Sequence, residues 1–169
     1  ISVYDKSNLK FICEFFHKNN IKIISTGTTA KFIKKIGYRA STIKDILNFK
    51  EILDGRVKTL HPQIFASLLY NNKSKKHVNE FSNLKFPDIE YLIVNFYPFK
   101  KTVLKKLNIQ KCIEMIDIGG PSLLRAASKN FTKVASICDP ADYTKLIKNY
   151  NDNNNKISLK FRKEMATKS

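Results

Sequence analysis

Apolar positions along the chain follow two rhythms. Leu9, Ile12, Cys13 and Phe16 fall at i, i+3, i+4 and i+7, the spacing that lines one face of an α-helix. Ser7 is placed to cap that helix and Asn19-Asn20 to end it. From Thr29 a second helical pattern carries Ala30, Ile33 and Ile36 inward and stops at Gly37, glycine being common just past a helix end. The other rhythm is the short unbroken apolar run. The opening ISVYDK reads as a strand and turn, Ile21 to Ile24 as a second strand, Val134 to Cys138 as another, and Tyr91 to Phe96 (YLIVNF) as the strongest. A strand apolar at nearly every position is buried on both faces, as in parallel sheets. Helices are predicted over 101–115, from Gly119-Gly120-Pro121 with Pro121 in the first turn, and over Asp142 to Tyr150. The polar run Asn151 to Asn155 is predicted as a loop before a last helical segment. Strands alternating with helices predict an α/β fold, a mostly parallel sheet flanked by helices in three layers.

Composition narrows this reading. At 169 residues and 43% hydrophobic, the chain is of single-domain size and can fill a core. The formal charge of +17 invites a nucleic-acid reading. However, it comes from 27 lysines spread along the whole chain and only four arginines, Arg39, Arg56, Arg125 and Arg162. Readers of bases and phosphates favour the planar fork of arginine, so no nucleic-acid partner is expected. No apolar run reaches membrane-spanning length, and no membrane partner is expected. Cys13, Cys112 and Cys138 are odd in number and far apart, which fits neither a disulfide framework nor a metal site, and suits a reducing cytoplasm. The chain opens on Ile1 and stops at Ser169 within a helical pattern, so both ends are read as cut.

Four segments carry candidate chemistry. Ser25 to Thr29 (STGTT) lies between a strand and a helix, where backbone amides can face an anion, though a plain cap and turn fits equally. Arg56-Val57-Lys58-Thr59-Leu60-His61-Pro62 sets two cations two residues apart. In an extended segment they would share a side, and the following proline and apolar run favour a fixed loop. Asn95-Phe96-Tyr97-Pro98 follows the best strand, at the end where open α/β sheets bind ligands. In the fourth, Asp117 precedes Gly119-Gly120 at a helix start, with Ser122, Arg125 and Lys129 on one helix face and Leu123, Leu124 and Ala127 toward the core. Spacing thus indicates an α/β domain that binds a phosphate and names no reaction.

Taken in order, these segments resemble the inosine-monophosphate cyclohydrolase half of the bifunctional purine-synthesis enzymes. Ser2-Val3-Tyr4-Asp5-Lys6 matches SVxDK, Thr26 to Ala30 the phosphate loop, and Asp54 to Pro62 an intact DGRVKTLHP. Asn95 to Phe99 matches an N-Leu-Y-P-F element with Phe96 for leucine; Ile116 to Gly120 and Arg125 to Asn130 match IDIGG and R-A-A-K-N. The resemblance spans essentially the whole chain.

It implies a fold like that of methylglyoxal synthase and closure of a formamido-imidazole-carboxamide ribotide to inosine monophosphate, without metal or cofactor. It implies catalytic parts for Asp117 at the carboxamide and for Lys58, Tyr97 and Lys129 at the formyl group. Asn95, Gly119 and Gly120 would hold the base, while Lys6, Thr26, Gly27, Thr28, Thr29, Arg56 and Thr59 would hold the phosphate or line its approach. It further implies a homodimer, a cytoplasmic location, and a formyltransferase domain that would follow in the whole protein and is absent from this chain. The sequence departs from the pattern at Phe65 and Phe131, where the family has histidine, and at Thr28, which replaces the loop's second glycine. Methylglyoxal synthases share the loop but have no reason to carry RVKTLHP or IDIGG. A ligand-binding domain of the carbamoyl phosphate synthetase kind is the alternative without turnover.

Overall fold

The structure, a computed structural model, describes residues 1–104 and 108–169. Strands β1 (Ser2–Val3), β2 (Ile24–Ser25), β3 (Ser41–Thr42), β4 (Tyr91–Asn95) and β5 (Ala135–Ile137) are all paired in parallel. They form two small sheets, β1-β4-β5 and β2-β3. The two meet at β1, where Ser25 Oγ donates to the Ile1 carbonyl at 2.8 Å and the Ser2 and Thr26 hydroxyls lie 3.2 Å apart. The strand order is therefore β3-β2-β1-β4-β5. The chain first builds outward through β2 and β3, then crosses to the other side of β1, so a topological switch point falls between β1 and β4.

Helices α1 (Leu9–Lys18), α2 (Gly27–Lys35), α3 (Ile43–Leu47), α4 (Pro62–Leu69), α5 (Lys75–Asn83), α6 (Phe99–Leu104), α7 (Ile109–Ile113), α8 (Gly119–Lys129), α9 (Tyr143–Asp152) and α10 (Leu159–Lys168) complete the described chain. Two cores result, one on each face of the sheet. Ile93 of β4 joins Leu9, Ile12 and Phe16 of α1, Leu146 of α9 and Phe161 of α10 in the first. Leu92 and Val94 face the other way, toward Ile64 and Leu68 of α4 and Leu123, Leu124 and Ala127 of α8. This alternation explains why β4 is apolar from Leu92 to Val94, and it realises the three-layer expectation.

Several local expectations are corrected. The cap of α1 is Asn8, in a left-handed conformation with no side-chain bond, while Ser7 instead donates its amide to Asp5 Oδ1 at 2.8 Å. Helix α2 starts at Gly27, two residues before Thr29, and Ile36 is its half-buried C-cap. Gly37 then turns the chain with φ 94°, a backbone that only glycine adopts without strain. The stretch 101–115 holds α6 and α7 in place of one helix, and part of that expectation, 105–107, lies outside the described residues. Helix α9 runs on to Asp152, which shortens the loop expected from Asn151. No helix among the described residues is long and apolar enough to cross a membrane.

Candidate functional site

The carboxyl ends of β1 and β4 are laced together by one side chain. Asn95 Oδ1 accepts the amides of Tyr4 and Asp5, both at 2.8 Å, and its Nδ2 donates to the Asp5 carbonyl at 2.9 Å. Most of the bonding capacity of Asn95 is thus spent on the switch point, and one amide N–H remains for a ligand. Just beyond, the ring of Tyr97 packs on that of Tyr4 with centroids 5.3 Å apart. Lys6 Nζ turns back to the Tyr4 carbonyl at 3.2 Å and lies 6.0 Å from the centre of the Phe32 ring.

The loop before α2 also sits at this edge. Thr26 and Thr29 are buried and structural: the Thr26 hydroxyl meets Ser2, and Thr29 Oγ1 donates to the Val3 carbonyl at 3.1 Å. The exposed Thr28 and the first-turn amides of Gly27, Thr28 and Thr29 are what the loop offers an anion, because the first amides of a helix lack intrahelical acceptors. A residue the sequence reading missed stands there. A β-carbon on Gly27 would lie 3.2 Å from Glu51 Oε1, and one on Gly55 would lie 3.3 Å from Glu51 Oε2. The protein's own carboxylate therefore rests against the start of α2.

Arg56 and Lys58 do not lie along an extended segment. Leu53, Asp54 and Gly55 adopt positive φ of 53°, 53° and 85°, and Arg56 itself is helical, forming a tight turn closed by the Ile52–Val57 bridge. Arg56 is ion-paired to Glu114, just past α7. Thr59 is buried, and a β-carbon on Gly119 would collide with its hydroxyl. The RVKTLHP and IDIGG segments, far apart in sequence, thus meet at Thr59–Gly119, and Arg56 adds a tie to Glu114 at the end of α7. His61 caps α4, accepting the Gln63 amide at 3.3 Å, with its ring 5.2 Å from that of Phe49.

Asp117 sits at the mouth of α8. Its Oδ1 accepts the Gly120 amide at 2.8 Å, which fixes the carboxylate and leaves Oδ2 open. Gly120 is required, since a β-carbon would lie 2.5 Å from Asp117 Oδ2 and 3.1 Å from the Phe96 ring. Asp117 is thereby held beside the end of β4. Lys129 is not brought to this edge. It ends α8, whose ten-residue rise from Gly119 spans about 15 Å. The next residue, Asn130, donates to the carbonyls of Leu68 and Tyr70 at the far end of α4. Lys129 shares a helix face with Ser122 but lies at the opposite end of α8 from Asp117, and Ser122 donates to the Ile118 carbonyl at 2.7 Å.

A mostly apolar cavity of about 600 Å³ lies between the approaches to β2 and β4, lined by Ile23, Ile24, Ile89 and Leu92 and reaching Thr26 and Thr59. It contains neither Lys58, Tyr97 nor Asp117 and is not where the polar groups converge. No group of three or more metal-ligating side chains occurs among the described residues.

Comparison with known proteins accords with this geometry. Residues 8–122 match the MGS-like domain, and residues 127–169 match the AICARFT/IMPCHase bienzyme. The bifunctional purine biosynthesis protein PurH of Ruminiclostridium cellulolyticum is 43% identical over 169 residues, covering 99% of this chain and 33% of that protein. Its counterpart in Oenococcus oeni is 42% identical over 170 residues, covering 100% and 33%. The chain spans about a third of the length of these curated relatives. Among solved structures, the crystal structure of ForH superposes with a TM-score of 0.82 at 25% identity, covering 99% of this chain and 87% of that one.

Proposed function

The chain belongs to the MGS-like domain family, and from that premise we propose that it is an inosine-monophosphate cyclohydrolase, the part of a bifunctional purine enzyme that closes the second ring. The observation that carries this reading is the junction of the 54–62 and 116–120 segments. There Thr59 abuts Gly119, while Asp117 is anchored on Gly120 beside the β4 end. The formyltransferase activity in the relatives' family description belongs, on this reading, to sequence outside these 169 residues.

In the reaction the carboxamide nitrogen forms a bond to the formyl carbon and gives up one proton as the formyl oxygen becomes a hydroxyl. That hydroxyl then departs as water, with the second proton coming from the formamido nitrogen. An amide is a poor nucleophile, so a carboxylate held at its N–H raises its reactivity. Asp117 Oδ2 fills that part, because Oδ1 is fixed and cannot swing away. Lys58 and Tyr97 stabilise charge on the formyl oxygen or relay its proton. The phosphate lies at the start of α2, against Gly27, Thr28 and Lys6, and Arg56 joins it on leaving Glu114. The remaining Asn95 N–H and the Gly119-Gly120 backbone orient the base, and most of the rate comes from holding two neighbouring groups in a reactive conformer. No cofactor or metal enters this scheme. Lys129 has no part in it within one chain. The homodimer implied by the resemblance is the assembly in which a second copy could bring one near.

The test is ultraviolet-monitored cyclisation of the formamido ribotide by the purified 169-residue protein, with Asp117→Ala alongside. Turnover is expected in the wild type and a loss of about a hundredfold or more in the variant, the scale of a lost acid–base group. Binding of the nucleotide without turnover would favour the ligand-binding alternative and direct attention to Phe65 and Phe131.

A further inference from the structure

Three candidate residues converge on a fourth that no motif singled out. The amide of Tyr4 donates to Asn95 Oδ1 at 2.8 Å, its carbonyl accepts Lys6 Nζ at 3.2 Å, and its ring lies 5.3 Å from that of Tyr97 at 58°. The ring is 48% exposed, so its place is not fixed by the core. Its backbone is fixed: the three bonds between Asn95 and residues 4–5 pin it to the end of β4. Tyr97 is held differently. It lies two residues past β4, and its hydroxyl has no hydrogen-bond partner among the described residues. The direction of that phenol therefore depends on what its ring packs against, and the aromatic ring packed against it is that of Tyr4. A tilted aromatic pair has a preferred geometry, so it restricts the angle as well as the distance.

We propose that Tyr4 is a positioning residue: its sheet-anchored ring aims the Tyr97 hydroxyl at the reacting carbonyl. The assignment rests on the cyclohydrolase reading. The contact uses the face and edge of the Tyr4 ring and leaves its hydroxyl out. Phenylalanine should therefore serve, and an aliphatic side chain should not.

The experiment is a double-mutant cycle in the cyclisation assay, combining Tyr4→Ala, Tyr4→Phe and Tyr4→Leu each with Tyr97 and with Tyr97→Phe. Misaiming a reacting group by a fraction of its length costs rate, so Tyr4→Ala is expected to lower kcat about tenfold. KM should change little, Tyr4→Leu should follow alanine, and Tyr4→Phe should retain kcat. In the Tyr97→Phe background Tyr4→Ala should cost nothing further, because there is no hydroxyl left to aim. Thermal midpoints near that of the wild type would exclude unfolding as the cause. Equal losses with and without the Tyr97 hydroxyl, or an unchanged kcat in Tyr4→Ala, would overturn the assignment while leaving the cyclohydrolase reading in place. Absence of wild-type turnover would overturn both.

Discussion

Glu51 shows how much a single side chain can alter a binding site before any ligand arrives. Its carboxylate rests against Gly27, where a phosphate would meet the first amides of α2, and Arg56 is held by Glu114. Both anion-receiving groups of the site thus carry one of the chain's own carboxylates. A carboxylate at a helix start contributes about 0.3–1 kcal/mol, so removing its charge in Glu51→Gln should tighten inorganic phosphate about two- to fivefold. Calorimetry would measure this, and unchanged or weaker binding would mean that Glu51 does not compete for the seat. Neither Glu51 nor Tyr4 was legible in the sequence. Their significance lies in the partners Gly27 and Tyr97, which local spacing cannot bring near them. Asp117 was legible because its partner, the Gly120 amide, is three residues away. The position of Lys129 was not legible, since periodicity reports the side of a helix and is silent on distance along it.

At the scale of elements, α1, α8 and β4 could be read from their apolar spacing because each buries a large face. Helices α3 and α5 are short and bury no residue fully, so neither presents the long apolar stripe that marks α1 and α8. They are held by caps, Thr42 with Asp45 and Ser74 with His77, and by partly buried side chains such as Ile43, Ile46 and Phe81 at the margin of the second core. Helix α10 was expected, but its fastening was not. Lys168 pairs with Asp139 at 2.9 Å and with the buried Asp142 at 2.5 Å, tying the helix end to the turn after β5. The Lys168 bond, then the Ala141 amide, hold the Asp139 carboxyl below its ordinary 3.8, and the two carboxylates hold Lys168 above 10.5. The Asp139 contribution is thus present above 3.8 and lost as pH falls through its lowered value. The Lys168 contribution is present below 10.5 and lost as pH climbs through its raised value. Hydrogen exchange of α10 measured against α8 in the same sample should show α10 loosening first below pH 3.8. Lys168→Ala should loosen it already at neutral pH. Equal protection of the two helices throughout would refute the fastening.

For the whole molecule, the architecture gathers chemistry at one edge. The switch point between β1 and β4 brings together segments from the first, middle and last thirds of the chain, and the chain as a whole carries an excess of 17 positive charges. A uniformly lysine-rich surface attracts a phosphorylated substrate from any direction without specifying it. The division within one chain also yields a test of assembly. With Lys129 about 15 Å along α8 from the Asp117 end, its participation requires a second copy. Asp117→Ala and Lys129→Ala, each inactive alone, should then recover about a quarter of wild-type turnover when mixed and allowed to exchange subunits, since half the dimers are hybrids with one intact site. Full activity of Lys129→Ala alone would remove that residue from the reaction.

The fastening of α10 also determines how the molecule would carry load. Lys168 is bound at the carboxyl edge of β5, and Ser169 reaches the Ser136 hydroxyl at 3.3 Å. A handle attached at Ser169 would therefore pull first on two ion pairs and peel α10 away one turn at a time. Only after that would tension reach β5 and the strand beside it, which ends at Asn95 and leads into Tyr97. In a force experiment, nucleotide binding should survive the first rupture and disappear with the second.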